Sequence, residues 1–185
     1  MCDQNLLGIL LLAAEIAVIA ACAMLVQAIQ AGKSIFTAFT SMGKSLVTST
    51  FIGAAIASLA IAAAVMSPSC TSGACGSQGS ALLTAINVTI GMLAGLLASV
   101  LVSALIPGAV NVAGPLALVT LLGAAGSFAY LGAMAMILVA CFAAAASPWL
   151  GLAAGLAFIT AVVAAVVAIY GIVVTITTAF AAASG

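Results

Sequence analysis

Residues 5–30, from Asn5 to Gln30, form an apolar run with one carboxylate, Glu15, near its middle. A helix crossing about 30 Å of hydrocarbon needs about 20 residues, and this run is long enough. A chain carrying such a segment has few folds open to it. In lipid every backbone polar group must be satisfied within the protein, so only helices and closed barrels span. Barrel strands read as segments of about 10 residues alternating apolar and polar. Here the runs are continuous and longer. Five of them are spaced along the chain, at 6–30, 46–66, 81–106, 116–146 and 150–180, with ends defined to about two to four residues. The expected fold is all-α: a polytopic transmembrane helical bundle of about five spans with short loops. It forms one integral membrane domain over residues 1–185.

Composition closes the alternatives. The chain is 68% hydrophobic and 2% charged, against about 25% charged in soluble domains. Two lysines and two acidic residues, with no His, cannot cover a water-facing surface. The expected partners are the lipid bilayer and other membrane chains or copies of this one. Formal net charge is zero, which leaves no basic patch for a phosphate backbone and excludes nucleic acid. Residues 1–5 lack a basic stretch, and the run after them exceeds the usual 7–15-residue core of a signal peptide. It reads as a retained first helix.

Both lysines lie between the first two spans, in the triplets Gly32-Lys33-Ser34 and Gly43-Lys44-Ser45. A phosphate-binding loop needs a glycine five positions before the Gly-Lys pair. Those positions hold Gln27 and Ala38, so that reading fails. Residues 31–45 read as an interfacial connector with snorkelling Lys33 and Lys44. Positive charge favours the cytoplasmic side. Five spans then put the N-terminus outside and the C-terminus in the cytoplasm.

The next loop, 67–80, is the most polar stretch and holds Cys70 and Cys75. It lies on the side opposite the lysines, which is oxidising in many cells. A small disulfide loop joining Cys70 to Cys75, free thiols, and a metal site are the readings, in that order. The Cys-x4-Cys spacing is not a zinc signature, and no metal or cofactor is expected. Asn87-Val-Thr89 matches a glycosylation sequon inside the third span and reads as a helix polar pair. Gly91 and Gly95, and again Gly151 and Gly155, sit four apart and predict tight helix packing. Residues 107–115, bracketed by Pro107 and Pro115, predict a turn. Trp149, the only Trp, falls where an interfacial aromatic belongs.

Reactive groups are few. General acid–base work draws on His or paired carboxylates, and there is no His. Asp3 and Glu15 are about 18 Å apart along any helix joining them. Nothing marks a quinone or lipid pocket. The chain is expected not to be an enzyme. Glu15 sits roughly 13 Å into its span, where an ionisable residue costs at least about 2.5 kcal/mol and is a functional candidate by default. Two readings follow. Glu15 either binds a proton or cation, or donates as a protonated carboxyl to a neighbouring helix. Asn87, Thr89, Tyr130 and Tyr170 are candidate partners.

The stretch Ala168-Ile-Tyr-Gly-Ile-Val-Val174 resembles a segment in the outer helices of rotary-ATPase c-subunits, the proteolipids. The resemblance implies Gly/Ala-rich helical hairpins with one membrane-embedded carboxylate, five positions before the Tyr. Here that position is Ala165, so the ion-binding role does not carry over. Glu15 has Ala20 where the Tyr would stand. The leading expectation is a structural or assembly subunit of a membrane complex or homo-oligomer. The alternative is a proteolipid-like pore or transporter component with Glu15 as its ion site.

Overall fold

The computed structural model describes residues 2–32 and 34–184. It is an all-α bundle. Six α-helices run in order: α1 (Gln4–Gln30), α2 (Ile35–Lys44), α3 (Leu46–Met66), α4 (Gly76–Leu105), α5 (Val110–Phe142) and α6 (Pro148–Ser184). All but α2 are long and apolar enough to cross a membrane. The chain is an integral multi-pass membrane protein.

Local chemistry sets the helix starts. Asp3 caps α1, its carboxylate accepting from the Leu6 N–H at 3.1 Å. Ser34 and Ser45 cap α2 and α3 in the same way, accepting from Thr37 and Thr48. Two boundaries differ from the sequence expectation. α4 begins at Gly76 rather than near 81, because small polar residues continue the helix above the apolar run. α5 begins at Val110, so the predicted turn over 107–115 shrinks to its first few residues, with Gly108 at φ +82°. Pro115 lies inside α5. It is exposed and lies one turn beyond the helix start, so the Asn111 carbonyl loses its intrahelical donor.

The five long helices form a closed ring. Among the described residues, α1 packs on α3 and α6, α3 on α4, α4 on α5, and α5 on α6, with no packing across the ring. α6 supplies mostly alanine to the interior, including Ala153, Ala157, Ala164 and Ala168, which lets it approach its neighbours closely. The core is mostly apolar along its length, with Glu15 and a few Ser and Thr side chains among the buried residues. Leu7, Leu11, Leu59, Leu82, Phe128 and Leu138 are fully buried toward one end or the middle, and Ile29, Ile35 and Phe39 toward the other.

α2 is the exception to span geometry. Residues 31–45 are not merely a surface connector: ten of them form a helix that packs against all five long helices. Ile35, Ala38, Phe39 and Met42, spaced three and four apart, are its buried face. α2 therefore closes one mouth of the ring. Thr40 and Ser103 share a hydrogen bond of 2.6 Å, and the Ile35 N–H donates to Thr175 Oγ1 at 2.9 Å. Gly43 meets the Val100 carbonyl so closely that no Cβ fits there.

Candidate functional site

Glu15 points into the ring. It shares one face of α1 with Leu7, Leu11, Val18, Cys22 and Leu25, at helical spacing, and its own exposure is 0%. Both carboxyl oxygens are buried with no hydrogen-bond partner. Leaving a buried polar group unpaired costs about 1–3 kcal/mol on protein mutational data, so this position is maintained against its own energetics.

Interhelix contacts fix what lies level with it. Ser58 of α3 donates to the Leu10 carbonyl at 2.6 Å. Gly8 of α1 lies against the backbone of Trp149 and Leu150, and Gly171 against Ile29 and Ile35. These contacts run α3 antiparallel and α6 parallel to α1. They set Glu15 beside the middle of α3 and the first third of α6, about 16 Å from the start of α1 by helical rise.

The four expected partners do not reach it. Thr89 is buried but donates to the Ala85 carbonyl at 2.8 Å, one turn back in its own helix. Asn87, Tyr130 and Tyr170 are on exposed faces. The reading of Glu15 as a hydrogen bond to one of these helices is therefore corrected. The apolar composition of every span hid which face turns inward. On the other resembling segment, Ala165 is half-buried on α6.

One end of the ring is closed covalently. Cys2 is bonded to Cys70, and Cys75 to Cys141. The expected Cys70–Cys75 bridge is thus a correction. The ring brings the start of α1 and the end of α5 to the α3–α4 loop, and each loop cysteine pairs outward with one of them. Cys2 and Cys141 read as scattered in the sequence. The signal that identifies them is topological: with five spans, both fall at the same membrane face as the loop. Cys22, the remaining cysteine, is buried on the Glu15 face of α1 and free.

Hydrogen bonds reinforce that end. The Ser147 N–H donates to Gln4 Oε1 at 2.9 Å, the Ser147 hydroxyl donates to Asn5 Oδ1, and Gln4 Nε2 donates to the Ala145 carbonyl at 3.4 Å. Trp149 sits there, 46% exposed, as an interfacial ring should be. At the opposite end Lys44 is exposed in the last turn of α2. Lys33 lies outside the described residues. Among the described residues no cluster of three His, Cys, Asp or Glu side chains could hold a metal ion.

The glycine pairs divide. Gly95 alone packs inside the chain, where a Cβ would meet Thr120 Cγ2 at 3.0 Å. Around Gly91, Gly151 and Gly155 a Cβ meets nothing within 4 Å. They lie on the outer surface, away from the other helices of this chain. Other glycines that pack within the chain include Gly8, Gly43, Gly114, Gly123, Gly132 and Gly171. The outer face of α4 carries Thr84, Asn87, Gly91, Ala94 and Ala98 in one exposed stripe. Among the described residues the Asn87 side chain has no hydrogen-bond partner.

Comparison with protein-family models, curated proteins and solved structures finds no match for this chain.

Proposed function

We propose that this chain is a non-catalytic structural subunit that assembles in the bilayer through the outer face of α4, in its simplest form with a second copy of itself. The observation that carries this is Asn87. An amide facing hydrocarbon with no partner is costly. It carries both donors and an acceptor, so it is self-complementary and suits an isologous pair. Gly91 and Ala94 beside it leave room for a second backbone to approach, which is what association in lipid rewards. The non-catalytic reading rests on the reactive inventory: no His, with Asp3 exposed as a helix cap and Glu15 alone inside. The orientation that fits is the disulfide end outside, with the N-terminus, and the C-terminus in the cytoplasm. Disulfides persist in oxidising compartments, and Lys44 at the other end agrees with the positive-inside tendency.

Mass measurement of the protein in detergent or lipid nanodiscs tests the assembly. A dimer or higher oligomer is expected. Asn87→Leu is expected to weaken it about tenfold, equivalent to about 1.4 kcal/mol. Gly91→Leu should do at least as much while leaving the fold intact, because its Cβ enters open space. A parent protein that is monomeric and without partners sinks the reading.

A second reading is favoured by Glu15, whose unpartnered, fully enclosed carboxyl suits a single proton or cation site. Ion flux in reconstituted vesicles, lost in Glu15→Gln, is its test.

A further inference from the structure

We propose that Glu15 is a one-sided proton-binding site, loaded from the Lys44 end of the ring past Met42 and shut toward the disulfide end. The inference rests on the second reading above and adds to it the ion, the side and the gate.

Two spaces in the structure set the route. An internal cavity of ≈ 10 Å³ lies in the ring among Val18, Cys22, Leu25, Phe39, Met42 and Leu93. Val18 and Cys22 are the next residues after Glu15 on the same face of α1, so the cavity begins one turn away. Its volume is at the lower limit for a single water, roughly 10–15 Å³ by this measure. Its lining is apolar, so it is dry at rest and a water enters it only when Met42 swings aside. An open cleft of ≈ 300 Å³ at the Lys44 end is lined by Met24, Gln27, Ala28, Ser45, Thr48 and Met42. Its polar groups make it a wet vestibule. Met42 lines both spaces and is 5% exposed. A methionine has three rotatable bonds and no branch, so it can swing aside without disturbing the helix that carries it. Toward the other end a cleft of ≈ 480 Å³ opens beside the disulfides, lined by Gln4, Ser69, Ser72, Phe142 and Ala145, and Glu15 is not part of it. There Leu7, Leu11, Leu59, Met66 and Leu138 are all at 0% exposure, and two disulfides tie the helix ends.

The chemistry selects the proton. A metal cation takes several oxygen ligands, and the cavity lining is apolar. Among the described residues no other charged group faces the carboxyl. α3 carries no titratable side chain, Tyr170 of α6 is 37% exposed, and Lys44 of α2 is exposed at the mouth. On α1 itself Cys22 lies two turns along, and Asp3 is at the far end. A proton brought by one transient water is the cation this space admits.

Infrared spectroscopy of the full chain in phosphatidylcholine vesicles, during exchange from H₂O into D₂O, tests the proposal. It follows the carbonyl stretch of a protonated carboxyl, and Glu15→Gln identifies the band by removing it. Met42→Ala is expected to speed exchange by at least about tenfold, because local opening then needs no side-chain swing. Ala28→Phe, which fills the vestibule, is expected to slow exchange several-fold and carries the test if Met42→Ala does not fold. Ser72→Phe, which fills the cleft at the disulfide end, should leave the rate unchanged. Slowing by Ser72→Phe, or no response to both vestibule variants, overturns the one-sided route. Exchange that depends on sodium overturns the choice of ion. A parent spectrum lacking any band that Glu15→Gln removes overturns the second reading itself.

Discussion

The two mouths of the ring are closed by different physics. At one, Cys2–Cys70 and Cys75–Cys141 join loops across sequence separations of 68 and 66 residues, and Gln4 and Asn5 hydrogen-bond to Ser147. At the other, a ten-residue helix is pressed between five neighbours by Ile35, Phe39 and Met42. Covalent closure holds whatever the packing does, provided the compartment stays oxidising. Packed closure depends on close approach, with Gly43 on the Val100 carbonyl and Gly171 under Ile35. Every contact there can be exchanged for another. A ring with one fixed and one adjustable mouth is asymmetric, and Glu15 lies between them.

Three changes break or sharpen that contrast. The largest effect belongs to the covalent mouth. Replacing Cys2 and Cys70 by Ser is expected to cost about 2–4 kcal/mol by the chain-entropy argument, read from thermal unfolding in detergent. Hydrogen exchange in α2 should stay as in the parent. If α2 loosens as well, the two mouths are coupled and the contrast fails. Next comes the packed mouth. Gly43→Val forces α2 off the Val100 carbonyl and should cost about 1–3 kcal/mol, with exchange rising in α2 while both disulfides remain. The smallest is Thr40→Val, which removes the bond to Ser103. It should cost about 0.6–2 kcal/mol and register mainly in α2. A loss as large as that of the cysteine pair would make this mouth the stronger one.

Gly79 offers the matching lesson at the fixed mouth, since a Cβ there would run into the Cys70 carbonyl. Nothing in its neighbourhood, Gln78-Gly79-Ser80, separates it from Gly91, whose surroundings are open. Both are helical glycines in a small-residue context, and only the neighbour's position tells them apart. The same holds for Glu15 and Asn87. Each is a polar residue within a span, one turned inward and one outward. α2 is legible in the sequence, since Ile35, Ala38, Phe39 and Met42 repeat at the spacing of a one-sided helix between Lys33 and Lys44.

The sequence by itself determined that this is a multi-pass helical membrane protein with five spans. Span length and apolarity are local properties, and the prolines, glycines and polar loops that interrupt them are local too. It also determined that Glu15 is the one carboxyl in a span. Tertiary structure alone decided the ring order, the pairing of Cys70 with Cys2 and Cys75 with Cys141, the plugging role of α2 and the inward aim of Glu15. The physical reason is that these helices are apolar on every side. In water a polar face announces which side turns out. In lipid the inner and outer faces are chemically alike, so only packing across long sequence separations distinguishes them.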